Sequence, residues 1–184
     1  MPKSPTESPP PSAAAESDKK AEIAAVRLLA RREHGTHELK RKLAAKGHDE
    51  DAVERVVDKL RAKELVSDQR FVSTFVHHHA RRGQGPVRIR AELRQQGIDD
   101  AQIEDEIARA SVNWAEVAIG VRQRKFGMQL PGSLAERAKQ SRFLQYRGFT
   151  ADQIRAALHA QEDASDGQFN AGPTSENVDP DWPD

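Results

Sequence analysis

The sequence contains no cysteine, and its aromatic residues are limited to six Phe, two Trp and one Tyr in 184 positions. Without thiols there are no disulfides, no thiolate zinc sites and no cysteine nucleophile. With aromatics at 5% and hydrophobic residues at 36%, there is too little bulky apolar surface for a thick sandwich or barrel. Thin helical layers suit this composition better. No apolar run approaches the roughly 20 residues of a membrane span. The N-terminus is polar and Pro-rich and lacks the apolar core of a signal peptide. A soluble, cytoplasmic chain with no membrane partner is therefore expected. No segment alternates apolar and polar residues between turn signals, which argues against strands. Phosphate-binding glycine loops, GxSxG and HExxH are all missing, and the carboxylates fall at helical spacing without an adjacent nucleophile. The expectation is a non-enzyme without cofactor or metal.

The balance of charge is the first positive feature. Lys plus Arg and Asp plus Glu both number 29, yet they are segregated. Residues 161–184 hold seven acids and no base, whereas residues 19–160 hold 28 bases against 19 acids. A basic body points to a polyanionic or acidic partner. The acidic tail either shields that body in cis or serves solubility. Residues 1–19 and 161–184 read as disordered tails, rich in Pro/Ser/Ala and in Gly/Pro/Asp/Asn respectively. In the second, Phe169 and Trp182 are candidate docking anchors.

The body carries a threefold internal repeat. LAAKGHDEDAVERVV, LRQQGIDDAQIEDEI and LQYRGFTADQIRAAL align on Gly47, Gly97 and Gly148. Leu43, Leu93 and Leu144 precede the glycines; Val53, Ile103 and Ile154, then Val57, Ile107 and Leu158, follow them. A glycine after an apolar helix stops it where φ is positive. Asp49, Asp99 and Thr150 then serve as N-caps of the next helix, and Gln102 and Gln153 complete capping-box patterns. Upstream stripes open each unit: Ile23, Val26, Leu29 and Ala30; then Phe71, Val72, Phe75 and Val76, started by Ser67 or Asp68; then Trp114, Val117, Ala118 and Val121, started by Asn113. Gly35, Gly83 and Gly127 close these helices. Middle helices start near Thr36, Pro86 and Ser133. The reading is an all-α protein of three tandem three-helix, helix-turn-helix-like repeats (20–66, 67–112 and 113–160). Stacking of modules too small to bury their own faces implies an elongated, curved array.

The middle helices are basic and the helices after them are acidic in the first two modules. Lys40 and Arg90 occupy one repeat column, and Arg90 and Arg94 are i,i+4 neighbours. Lys40, Arg41, Arg81, Arg82, Arg88, Arg90, Arg94 and Arg142 are the candidate contacts to a phosphate backbone or an acidic groove. The competing reading is a solvated face or salt bridges between basic and acidic helices of adjacent modules. His77, His78 and His79 point in different directions on a helix and cannot converge on one ion. His78 and His79 continue the apolar stripe and read as partly buried structural residues. The core placement of Phe71, Phe75, Trp114, Phe126 and Phe143 argues against base stacking.

SDQRFVSTFVHHHARRGQGPVRIRAELRQQGI resembles the central module of the RecX family, through Asp68, Arg70, Phe71, Arg81 or Arg82, Gly85, Ile89, Glu92, Leu93, Gly97 and Ile98. RKF at 124–126, Lys139 and FLQYRGF at 143–149 extend the likeness, which spans residues 20–160. The triple His and both tails depart from it. The resemblance implies tandem three-helix repeats that bind the RecA recombinase and its nucleoprotein filament, restraining filament growth, ATP hydrolysis and strand exchange. It implies no cofactor and no catalytic residue. Single- or double-stranded DNA is a further possible partner, and the absence of a heptad argues for a monomer. The alternative is a helix-turn-helix regulator or architectural protein that binds DNA directly.

Overall fold

A computed structural model describes residues 11–159. All regular structure among them is helical: α1 Pro11–Leu29, α2 Thr36–Ala45, α3 Glu50–Ala62, α4 Asp68–Arg81, α5 Pro86–Gln95, α6 Asp100–Arg109, α7 Trp114–Phe126, α8 Leu134–Tyr146 and α9 Ala151–His159. The expected tail 161–184 lies outside the described residues, as do residues 1–10. The first helix begins at Pro11, inside the stretch expected as an N-terminal tail. Proline suits a first helical turn, and the alanines after it favour helix.

The repeat glycines do what their column requires. Gly47, Gly97 and Gly148 adopt φ of 81°, 78° and 85°. The next helix is then capped each time: Asp49 accepts from the Ala52 amide at 3.0 Å and Asp99 from the Ala101 amide at 2.9 Å. Thr150 and Gln153 form a reciprocal capping box, 2.9 and 3.4 Å. Gly35 differs from expectation. With φ −70° and ψ 154°, it is the N-cap of α2 and does not close α1.

The described residues form two compact units that divide between Phe71 and Val72, inside α4. In the first unit, α1 packs on α3 around Ala21, Ala25, Leu39, Leu43, Val53, Val56, Val57 and Leu60. This corrects the expected α1 stripe. Ile23 and Val26 are 46% and 48% exposed, while Ala21 and Ala25 are fully buried. Alanines at i and i+4 allow α1 to approach α3 closely, with Ala24, Leu28 and Leu29 flanking the seam. The open choice at the start of α4 resolves in favour of Ser67, whose Oγ accepts from the Arg70 amide at 3.2 Å. Asp68 is thereby released to cap α2, accepting from the Thr36 amide at 2.6 Å and the Thr36 hydroxyl at 2.9 Å.

In the second unit, Val72, Phe75, Val76, Ile89, Leu93, Ile103 and Ile107 are buried from α4–α6. A second cluster gathers Ala118, Val121, Leu144, Phe149, Ile154, Ala157 and Leu158 from α7–α9. The two groups of helices join through backbone. The Gly85 amide donates to the Arg147 carbonyl at 2.7 Å, and the Val87 amide to the Gly148 carbonyl at 3.0 Å. The unsatisfied amides at the start of α5 thus meet the unsatisfied carbonyls at the end of α8.

Candidate docking clefts

The residues expected to form a basic stripe divide by their partners. Lys40 pairs with Glu54, Arg88 with Glu92 at 2.6 Å, Arg90 with Glu104 at 2.6 Å and Arg94 with Asp100 at 2.5 Å. Lys40–Glu54 and Arg90–Glu104 are the same contact in successive repeats, each fourteen residues apart. The Arg90 guanidinium holds two bonds to Glu104, which raises its affinity for the proton and lowers that of the carboxyl. These four cations are salt-bridged, but not across adjacent modules as expected: each partner lies inside the same three-helix group, and Glu92 on the same helix as Arg88, because the third helix of each group folds back on its own middle helix. Arg41 is exposed on α2. Arg81, Arg82 and Arg142 are exposed and form no ion pair among the described residues.

The third repeat breaks the column. Ser141 stands where Lys40 and Arg90 stand, and Arg155 where Glu54 and Glu104 stand. Its third helix loses the acidic face, so residues 113–160 carry eight bases against three acids. Cations from this surplus line an open cleft of about 230 Å³ formed by Arg82, Val121, Arg124, Lys125, Phe143 and Arg147. None of its four cations has a carboxylate partner among the described residues.

The fold positions each wall. Arg122 is 1% exposed and turns inward from α7, donating to the Gln129 and Met128 carbonyls at 2.8 and 3.2 Å. It clamps the turn after α7, and burial lowers its pKa. Arg124 and Lys125 then point outward on the following part of the helix. Arg147 donates to the Arg82 carbonyl at 3.2 Å, and its guanidinium carbon lies 5.4 Å from the Phe143 ring centroid. Phe143 is held edge-on by Phe126, 5.3 Å between centroids. Gly83 lies against Val121, where an added Cβ would come within 2.5 Å of the valine Cγ2. Val121 and Phe143 give the cleft an apolar floor beneath cationic rims. Such a site takes an anionic group attached to an apolar or planar one.

The first unit has its own cleft, about 600 Å³, whose lining includes Lys20, Ile23, Arg27, Leu28, Arg31 and Lys46. Arg27, Arg31 and Lys46 are exposed and form no ion pair among the described residues. Here the exposed Ile23 acquires a role as cleft lining. The contacts expected from the sequence did not include Arg27, Arg31, Lys46, Arg124, Lys125 or Arg147, which line the two clefts. For the third repeat the available signal was its eight bases against three acids; for the first unit there was none, since its third helix keeps Glu50, Asp51, Glu54 and Asp58.

The histidines behave as the stripe suggests. His77 is exposed, His78 half-buried and His79 buried, stacked on Phe75 at 3.8 Å. His79 Nδ1 bonds to Gln84 Oε1, with Glu92 Oε2 at 3.4 Å; burial nevertheless holds its pKa below the usual histidine range. No grouping of three or more His, Asp or Glu among the described residues is arranged to hold a metal ion. No helix among them is long and apolar enough to cross a membrane.

Comparison with known proteins gives this architecture a family. Residues 21–60, 67–106 and 115–158 match the family models of the first, second and third three-helix domains of RecX. The chain is 48% identical over 140 residues to Regulatory protein RecX of Halorhodospira halophila, covering 76% of this chain and 87% of that one. It is 46% identical over 134 residues to Regulatory protein RecX of Pseudomonas syringae pv. tomato, covering 73% and 86%. The crystal structure of RecX from Lactobacillus salivarius superposes with a TM-score of 0.67 at 21% identity, covering 79% of this chain and 97% of that one. With three domain matches in order and close relatives along most of its length, this chain belongs to the RecX family of regulatory proteins.

Proposed function

We propose that this chain binds RecA and RecA–DNA filaments and mainly inhibits filament growth, ATP hydrolysis and strand exchange. Membership of the RecX family supports RecA as the partner. The observation that carries the chemistry is a set of cations, lining clefts with apolar floors, that no carboxylate of the described residues neutralises. A nucleoprotein filament exposes acidic side chains and phosphates along its groove. Three similar helix groups in one chain engage such a polymer at several points, so weak contacts multiply into avidity. The contact surface in this reading centres on Arg81, Arg82, Arg124, Lys125, Arg142 and Arg147, with Arg27, Arg31 and Lys46 in the first unit. Lys40 in the first unit and Arg88, Arg90 and Arg94 in the second join it by exchanging one carboxylate for another, and Arg41 follows Lys40 on α2. The protein acts as a cytoplasmic monomer, with domain limits at 20–66, 67–112 and 113–160, and by occupancy, without a catalytic step or cofactor.

The test is RecA ATPase on single-stranded DNA, with and without the protein, beside binding to bare DNA across a salt series. Inhibition at concentrations where bare-DNA binding is weak supports filament docking. Unchanged ATPase with tight, sequence-dependent duplex binding favours a direct DNA-binding regulator or architectural protein.

A further inference from the structure

Residues 161–184 are the most acidic stretch of the sequence, with seven carboxylates and no base. They follow the match to the third three-helix domain, which ends at residue 158. The helix preceding them, α9, ends at His159, whose Nε2 lies 3.2 Å from Arg137 Nη1 near the start of α8. Arg147, a wall of the unneutralised cleft, stands just past the other end of α8. Ten residues separate Arg137 from Arg147, about 15 Å along a helix. An extended chain covers that distance in about five residues. From His159 this brings Asp166 and Phe169 within reach of the cleft.

We propose that the acidic segment 161–184 occupies, in cis, the cleft lined by Arg82, Arg124, Lys125 and Arg147, and withholds it from an acidic or phosphate-bearing partner. Three features select this cleft. Its cations have no carboxylate of their own among the described residues. Its floor of Val121 and Phe143 suits the segment's two large apolar side chains, Phe169 and Trp182. It also lies one helix length from where the segment departs, so the local concentration of carboxylate is high without a strong contact. The contact is electrostatic and loosens with salt. Binding of the tail is argued from the cleft alone; the withholding of a partner rests on the filament-docking reading.

The test uses the full chain and a full-length variant in which the seven tail carboxylates are changed to amides. Amide nitrogen–proton correlation spectra are recorded at low and high salt. The expected result is that neutralising the tail shifts Gly83, Arg124, Lys125 and Arg147, and that high salt moves the native spectrum to the same positions. Shifts confined to the end of α9, or falling instead on Arg27, Arg31 and Lys46, overturn the assignment. Affinity for an oligodeoxythymidylate is measured in parallel. Neutralisation is expected to tighten it about tenfold at low salt and to steepen its salt dependence. If the spectra place the tail in the cleft but neither this affinity nor RecA inhibition changes, the tail contact stands and the withholding of a partner fails.

Discussion

At Gly85 and Gly148 two backbones meet without room for a methyl group. A Cβ on Gly85 would fall 2.3 Å from the Gly148 carbonyl oxygen, and one on Gly148 would fall 2.5 Å from the Arg88 amide nitrogen. Gly47 has a similar positive φ, 81°, but nothing within 4 Å. Alanine at Gly47 therefore incurs only the left-handed backbone penalty, about 1–2 kcal/mol. Alanine at Gly148 bears that penalty and must also part α5 from α8, while at Gly85, whose φ is −87°, the clash acts alone; each is expected to cost about 3 kcal/mol or more. Urea unfolding of the three variants separates the two effects; equal losses contradict the close approach. Titration acts at the same scale. His34 and His79 have pKa values lowered by burial, so the unfolded chain binds protons first as pH falls. Their contribution is complete above the unfolded histidine value, about 6.5, and is lost below it. Glu38 is buried, which raises its pKa, but bonds from Arg32 at 2.5 and 3.1 Å outweigh that and hold it low. Its contribution is present above about pH 4.3 and is lost as pH falls through the lowered value. The melting temperature is expected to fall in two stages between neutral and acid pH. A flat profile down to pH about 5 contradicts the histidine assignment.

Between elements, the start of α2 depends on a residue from the next three-helix group. Asp68→Ala removes both bonds to Thr36 and is expected to destabilise by about 1–2 kcal/mol in urea melts, as for a lost N-cap. The repeated ion pair is a weaker device. Arg90 and Glu104 keep side-chain exposures of 26% and 53%, so a double-mutant cycle is expected to give about 0.3–1 kcal/mol. A coupling well above that range means that Arg90 is structural and does not exchange its partner. Much of this level was legible in the sequence, because stop glycines, caps and i,i+4 pairs are local. Gly47, Asp49 and Val53 needed no tertiary information. The α1 stripe did not yield to the same logic. Ile23 and Val26 are more hydrophobic than Ala21 and Ala25, but close helix approach selected the smaller residues. The binding surface was legible only in part, because cation placement can be read locally while its neutralisation depends on which acidic helix folds back. Glu54 and Glu104 lie fourteen residues from their bases, beyond helical spacing.

For the whole molecule, internal ion pairs in the first two repeats contrast with a third repeat in which Ser141 and Arg155 replace both members of that pair and bases outnumber acids eight to three. That difference concentrates unneutralised charge around Arg124, Lys125 and Arg147, and it is where the docking account is most exposed. The direct measurement is the concentration needed for half-inhibition of RecA ATPase on single-stranded DNA. The native chain is compared with a variant carrying Arg124→Gln, Lys125→Gln and Arg147→Gln, its helicity and melting checked by circular dichroism. Loss of three charge-assisted contacts is expected to raise that concentration tenfold or more, a shift of about 1.4 kcal/mol or greater. A folded variant that inhibits at the native concentration contradicts the account.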